Sequence, residues 1–395
     1  VSVLYWRWRS PMQCHTLVIG GGIVGLAVAA RLSRHGATVL VERHGTLLHE
    51  TSGRNSGVVH AGIYYPDETL KTALCLAGAT RIWDLHREGR VTAHHCGKWI
   101  VATDDAEVPA LDAIHRRMMS RGIPSREVPL AEVATTEPLL RAVKVIESPR
   151  TGIVDAASLA AAYTADLEAN DGLVALQTQV LGAEHLAGGT VRVHLDDGDS
   201  KTHIDAAAVV NCAGLSAHRV AALLQHDTVL QRVPPLHLWG GRYASCVGKA
   251  PVRRLVYPVP LPSLQGLGSH ATIDLGGAVR FGPDAFYIGR ASASADGPAT
   301  VDPEECSYDI AATPGGESGF LDEMHEGVRR FLPSLPRERL VAGYMGIRPK
   351  LSGPTDGFKD FAIEREGNVV HCFGIESPGL TSSAGIADHV ASLLF

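Results

Sequence analysis

The sequence predicts an α/β fold: a Rossmann-type dinucleotide-binding domain into which an α+β domain with an antiparallel sheet is inserted. Three observations carry this. The first is the stretch 17–42. There the apolar run Leu17-Val18-Ile19 leads into Gly20-Gly21-Gly22-Ile23-Val24-Gly25, then helical spacing from Leu26 to His35, then Thr38-Val39-Leu40-Val41 and Glu42. The second is a later turn of small residues, Asn211-Cys212-Ala213-Gly214, behind a buried-strand pattern at 206–210. The third is a set of strand-like segments at 237–243, 254–259, 270–274 and 279–281.

Strand, glycine turn, helix, strand, acid is the order a dinucleotide site requires. Gly20 permits the tight turn. Gly22 lets backbone approach a pyrophosphate, and Gly25 lets the helix lie close to the strand. The helix start at Ile23 and Val24 offers unpaired N–H groups and a positive dipole end to phosphates. Glu42 stands where a carboxylate can accept hydrogen bonds from both hydroxyls of an adenosine ribose.

The remaining elements follow in order. Residues 97–102 read as a strand and 108–120 as a surface helix, both in the inserted domain. Residues 156–169 read as a helix and 176–180 as a strand of the nucleotide domain. Residues 191–195 form a strand that ends in the hairpin signal Asp196-Asp197-Gly198. Ser216 to Leu224 reads as a helix. The segment 291–318 is rich in Ala, Ser, Gly, Pro and Asp and reads as a long loop, followed by a helix over 320–331. Residues 339–348 return to the nucleotide domain, which closes with a strand at 369–373, a glycine turn and a final helix. The expected division is an N-terminal extension (1–13), a discontinuous nucleotide domain (14–95, 150–230, 340–395) and a substrate domain (96–149, 231–339).

Bulk properties restrict the function. With 395 residues, 45% hydrophobic and 20% charged, the chain has the composition of a globular protein. The formal charge of −6 and the scattered basic residues argue against a nucleic-acid partner. The longest apolar run, 17–30, is too short to span a bilayer and holds four glycines. The seven cysteines are scattered and form no CxxC, which suits free thiols in a reducing compartment. No His/Cys pair has metal-ligand spacing, so no metal is expected. Residues 1–41 hold four arginines and no acid. The leader reads either as the end of an organelle transit peptide or as a disordered extension.

Residues 51–65, Thr-Ser-Gly-Arg-Asn-Ser-Gly-Val-Val-His-Ala-Gly-Ile-Tyr-Tyr, carry a family resemblance. They resemble the loop after the second strand in FAD-dependent L-2-hydroxyglutarate dehydrogenases, within the D-amino-acid-oxidase-like superfamily. Thr69 to Cys75, Tyr257-Pro258-Val259-Pro260, Gly346 to Leu351 and Gly374 to Ser382 match as well, as does the block from Gly266 through His270 and Thr272 to Asp284. The resemblance covers the chain from Cys14 onward. It implies FAD as cofactor and a small dicarboxylate 2-hydroxy acid as substrate. It implies FAD contacts from Gly20, Gly22, Ile23, Val24, Gly25, Glu42 and Arg43, from Ser52, Asn55, Ser56 and His60, from Val180, Ala213 and Gly214, and from Arg348, Gly374, Gly379, Leu380 and Thr381.

The chemistry of these residues fits. Gly374 and Gly379 would let backbone pass close to an isoalloxazine ring. Thr381-Ser382-Ser383 can cap a last helix aimed at the flavin. Arg348, extended by the following Pro349, can present its planar fork to a carboxylate. The resemblance makes that the substrate's α-carboxylate; a structural ion pair is the competing use. A second carboxylate calls for another cation, for which Arg54, Lys71 and Lys350 are candidates, and Tyr257 is a further substrate contact. Oxidising a secondary alcohol also needs a base for the hydroxyl proton; His60 and His270 are the candidates, with His60 preferred. No second glycine fingerprint exists for a nicotinamide. Electrons are therefore expected to leave to a quinone, an electron-transfer flavoprotein or oxygen, with peripheral membrane association compatible with the first. The expected compartment is the mitochondrion in a eukaryote, otherwise the cytoplasm or the face of the inner membrane. The rivals are a glycerol-3-phosphate dehydrogenase, an amino-acid or amine oxidase, and a flavin-binding scaffold without turnover.

Overall fold

The computed structural model describes residues 12–225, 233–260, 269–291 and 301–395. The leader 1–11, most of the expected loop 291–318 before residue 301, and Leu261 to Gly268 lie outside the described residues. So does the Gly266-Leu267-Gly268 part of the family-like block.

Most strands fall into two large sheets. The first has eight strands. Its centre is Met12–Ile19, flanked in parallel by Thr38–Val41 and by Lys201–Asn211. Leu173–Ala175 extends one edge in parallel. On the other flank the long strand Lys201–Asn211 has two neighbours: the antiparallel strand Val191–Asp196 along its first half and the parallel strand Val369–Phe373 at its end. The first strand begins at Met12, two residues inside the stretch expected to be an extension.

The helices Ile23–Leu32, Ala156–Glu168, Leu70–Arg87 and Gly379–Leu394 pack on one face of this sheet around a core that includes Leu26, Ile82, Leu159, Ile386 and Val390. Small residues set the close approach. A Cβ on Gly20 (φ +111°) would sit 2.6 Å from the Cys212 carbonyl oxygen, and one on Gly25 would collide with the Gly20 carbonyl. Leu70–Arg87 starts where Thr69 accepts the Thr72 N–H and the Asp360 carboxylate accepts those of Leu70 (2.6 Å) and Lys71 (2.9 Å). That capping satisfies the orphan donors of the first turn. Asp155 caps Ala156–Glu168 in the same way.

The second sheet has nine strands. It is antiparallel except where Leu255–Pro258 runs parallel to Lys98–Val101. The purely antiparallel expectation fails there because the two strands come from distant segments joined by a crossover and not by a hairpin. Leu236–Cys246 pairs with Leu340–Lys350 along nearly its whole length.

Three other expectations shift. The strand expected at 176–180 is two strands, Leu173–Ala175 and Gln179–His185, broken at Gln177 with φ +53°. The helix expected at 320–331 begins earlier, at Gly316, and ends at Arg329. The last helix starts at Gly379, so Thr381, Ser382 and Ser383 lie inside it and cap nothing. Pro378 occupies the cap position without a side-chain hydrogen bond.

Behind the Asn211 turn, two buried histidines link fold stability to pH. Asn211 Nδ2 lies 3.1 Å from His371 Nδ1 and donates to the Ala217 carbonyl at 2.7 Å, while its Oδ1 accepts the Ala213 N–H. Burial lowers both His218 and His371 to about 4. The unfolded chain binds protons on these rings near pH 6.5 and the folded chain only near 4. Stability therefore falls as pH drops from 6.5 towards 4, by up to about 1.4 kcal/mol per pH unit for each ring. Urea midpoints measured at pH 7 and pH 5 should show this loss, and His371→Gln should reduce it by the share of one ring; an unchanged slope would exclude His371 as a source.

Candidate active site

A cavity of about 1010 Å³ is lined by residues from strands of both sheets and from the loops beside them. It is at the upper end of the volumes seen for small-molecule sites, about 300–1,000 Å³. The expected site residues Gly20, Gly22, Ile23, Val24, Glu42, Arg43, Ser52, Arg54, Asn55, Ser56, His60, Lys71, Val180, Ala213, Gly214, Tyr257, His270, Arg348, Lys350, Gly379, Leu380 and Thr381 all line it. Gly25 and Gly374 do not. Gly25 acts behind the wall through its contact with Gly20. Gly374 (φ +69°) faces Leu351, whose Cγ would lie 2.5 Å from an added Cβ. It therefore shapes the chain before the last helix and forms no part of the cavity wall.

One end of the cavity is the nucleotide turn. Gly22 is the N-cap of Ile23–Leu32 and carries no side chain to occupy the helix N-terminus. Ser52 reaches in from the next loop and accepts the Ile23 N–H at 3.0 Å. Glu42 is buried, with its oxygens accepting the Gly21 N–H (2.6 Å) and the His44 N–H (2.8 Å). A carboxylate has about four acceptor sites, so two remain for ribose hydroxyls. Arg43 is ion-paired to Glu50 and Glu304, which ties it to the cavity rim. The Arg54 Nε is buried without a partner among the described residues, and its guanidinium lies 4.1 Å over the Tyr308 ring.

At the other end the last helix begins, also without a side-chain cap and with no acid in its first turn. Two helix N-termini whose own cap residues place no side chain over them, a ribose-directed carboxylate and an orphaned guanidinium N–H on one cavity fit a dinucleotide: an anionic pyrophosphate at one helix and an electron-rich ring edge at the other.

Between these ends lies a polar cluster. Arg348 and Lys350 lie two residues apart on the strand Leu340–Lys350 and so point to the same face, about 7 Å apart. Arg348 makes no ion pair among the described residues, and the Tyr243 hydroxyl faces it. Lys71 has its charge answered: it donates to Glu376 at 2.7 Å in a buried pair. Burial alone would raise the Glu376 carboxyl, but Lys71, Lys350 and Arg348 outweigh it and hold it below the usual carboxylate range. Burial, Arg348 and Lys71 lower the Lys350 ammonium while Glu376 pulls it up. Of the three candidate second cations, Lys71 is thus committed to a carboxylate, Arg54 lies by Tyr308, and Lys350 stands beside Arg348.

His60 is placed by the last helix. Thr381 Oγ1 donates to the Val58 carbonyl (3.0 Å) and accepts the His60 N–H (3.1 Å). The threonine expected to cap a helix instead clamps this loop with its hydroxyl while still lining the cavity. Burial, then Lys98, His270 and Arg348, lower the His60 imidazole to about 3, so it stays neutral across the physiological range. His270 is buried and stacks on Tyr257 with ring centroids 3.9 Å apart. Sequence reasoning missed Tyr243, Glu376 and Lys98. The Glu376 pair joins residues 305 apart and leaves no local pattern. Among the described residues no group of His, Cys, Asp or Glu is arranged to hold a metal, and no helix is long and apolar enough to cross a membrane.

The geometry agrees with known proteins. The family model described as FAD dependent oxidoreductase matches residues 15–393. The mitochondrial L-2-hydroxyglutarate dehydrogenase of Arabidopsis thaliana is 36% identical, over 95% of this chain and 82% of its own. Its namesakes from Homo sapiens (28% identical, 98% of this chain, 89% of that one) and Indibacter alkaliphilus (28%, 96% and 98%) are similar over comparable lengths. Among solved structures, dithionite-reduced L-α-glycerophosphate oxidase from Mycoplasma pneumoniae with FAD bound superposes with a TM-score of 0.79 at 23% identity, covering 97% of this chain and 94% of that one. Glycine oxidase from Geobacillus kaustophilus gives 0.74 at 17%, covering 97% and 95%. These two likenesses speak to the fold alone.

A cofactor prediction follows. Gly22→Val would place its side chain between Ser52, whose Oγ would be 3.0 Å from the new Cβ, and the phosphate path. FAD content, measured by absorbance after purification, should collapse while the protein stays folded. Full FAD occupancy in this variant would remove Gly22 from the cofactor site. The match across residues 15–393, together with the glycine turn, the buried acid and the two open helix ends, places the chain in the FAD-dependent oxidoreductase family.

Proposed function

We propose that this protein oxidises L-2-hydroxyglutarate to 2-oxoglutarate. The observation that carries the reading is Arg348, a cation on the cavity wall with no ion pair among the described residues, on the same strand face as Lys350 and close to a neutral His60. Bound FAD supplies the acceptor for the hydride on the carbinol carbon. The chain does the rest. Arg348 holds the α-carboxylate as a bidentate fork, and its fixed plane orients the neighbouring carbon. Lys350 meets the far carboxylate, at a spacing a five-carbon dicarboxylate can span. His60 takes the hydroxyl proton. The Thr381 clamp keeps that imidazole in place, and the enclosing sheets exclude water.

An amino acid's ammonium would call for an uncommitted acid, whereas Glu376 is already paired with Lys71. The named relatives support the same substrate, and the eukaryotic ones are named mitochondrial. We assign this chain a mitochondrial site in a eukaryote, with reoxidation by a quinone, an electron-transfer flavoprotein or oxygen.

The test is anaerobic mixing of the FAD-loaded protein with a substrate panel, following the visible absorbance of the flavin. L-2-hydroxyglutarate should bleach it rapidly; D-2-hydroxyglutarate, glycerol-3-phosphate and neutral amino acids should do so far more slowly. Fast bleaching by an amino acid, with none by L-2-hydroxyglutarate, would transfer the protein to the oxidase branch.

A further inference from the structure

The cavity wall carries an ion pair that the reaction as described leaves unused. Lys71 Nζ donates to Glu376 at 2.7 Å, with 4% of the lysine side chain and 11% of the glutamate side chain exposed. Both residues line the cavity. The rings of Phe358 and Phe361 stand 5.4 and 5.3 Å from Nζ on its other sides. Each partner is fixed through its backbone. Asp360 accepts the Lys71 N–H at the start of its helix, and the Glu376 carbonyl accepts the Gly379 N–H where the last helix opens. A buried ion pair adds little stability over well-packed apolar side chains of the same volume. Fold stability thus gives no reason for this one to stand on the wall of a polar cavity.

Charge balance does. Among the described residues of the cavity wall, Arg242 is paired with Asp284 and Arg330 with Glu107, while Arg43 and Arg219 share Glu304. Arg54 lies over Tyr308. That leaves Arg348, Lys350 and Lys71 in the polar cluster, with Glu376 as the carboxylate among them. Against burial, Lys71, Lys350 and Arg348 keep that carboxylate ionised. A dicarboxylate answers two of the three cations. A free Lys71 would draw a third carboxylate. Glu376 cancels this attraction and confronts any further anion with a like charge in a desolvated place.

We propose that Glu376 is a specificity-determining residue: by answering Lys71 it fits the site to anions with two charges and turns away hydroxy acids that carry a third carboxylate. This rests on the functional reading above, in which Arg348 and Lys350 meet the two carboxylates of the substrate. Glu376 takes no part in the transfer of hydride or proton. Its work is done in binding, through the charge it removes from Lys71 and the repulsion it adds.

The test compares two unreactive anions, glutarate and 3-carboxyglutarate, which differ by one carboxylate and lack the hydroxyl to be oxidised. Each is titrated into the FAD-loaded full chain at about pH 8, and Kd is read from the shift of the visible flavin spectrum. The wild type should bind glutarate more tightly. Glu376→Gln frees Lys71 and should lower the ratio of the two Kd values, 3-carboxyglutarate over glutarate, by about tenfold or more. Lys71→Met leaves Glu376 unanswered and should raise the same ratio; it decides the matter if the Gln variant fails to load FAD. The double variant, Lys71→Met with Glu376→Gln, removes both charges and should return the ratio to the wild-type value, which a change of packing alone would not do. A ratio that no single variant moves, or one that stays lowered in the double variant, would overturn the proposal. If L-2-hydroxyglutarate still bleaches the wild-type flavin, the substrate reading survives that result. A wild-type flavin that L-2-hydroxyglutarate does not bleach overturns the substrate reading, and this proposal with it.

Discussion

His60→Ala is expected to slow flavin reduction by roughly 10²–10⁴-fold, the usual worth of a positioned general base. Substrate affinity should change less, because proton transfer is made only on the way to the transition state. The imidazole, lowered to about 3, is neutral throughout the working range. The variant's loss should therefore be similar at pH 6 and pH 9 once the wild-type profile is divided out. Two rival outcomes are separable by rapid kinetics with FAD content measured in parallel. If His270 is the base, His270→Ala carries the large loss and His60→Ala a small one. If His60 only holds its loop, His60→Ala releases FAD and leaves the reduction rate of the loaded fraction unchanged.

Arg348→Leu is expected to lose about 2–5 kcal/mol of binding and transition-state stabilisation, the range for removing one partner of a desolvated charge pair. That is roughly 30-fold to a few thousand-fold in kcat/KM. Arg348→Lys keeps a charge but not a fork, and should cost several-fold or more. FAD should remain bound in both, because the helix ends and Glu42 that frame the cofactor site are untouched. Unchanged kinetics in the leucine variant would mean the α-carboxylate is held elsewhere.

The nucleotide half was legible because its signals are local. Gly20, Gly22, Gly25 and Glu42 fall within one strand–helix–strand unit, and the structure gives each a physical use. The flavin-edge half was legible only in part. Gly379 lines the cavity, but Gly374 packs on Leu351 and Thr381 spends its hydroxyl on Val58 and His60. A cap box and a clamp look alike in one dimension; only the tertiary partner tells them apart. The helix boundary moved for the same reason: Gly379 can begin a helix without a capping side chain when the cavity takes that place. Lys98 was passed over because a lysine opening an apolar strand reads as a solvated end. The sheet covers that end, and this depends on the parallel pairing with Leu255–Pro258, which comes from a segment some 150 residues away.

The Thr381 clamp has a consequence for how the enzyme comes into being on the ribosome. The loop that carries His60 is made early, yet its anchor, Thr381, follows more than 300 positions later. Through synthesis, the nascent chain can form the glycine turn and most of the first sheet while its proton-accepting loop still lacks the hydroxyl that fixes it. Oxidation chemistry is thus withheld until position 381 has been made. A stop codon shortly ahead of position 381 would yield a chain with a complete phosphate-binding turn and no ordered base. Such a truncation is expected to behave genetically as a null allele although it keeps the whole nucleotide turn.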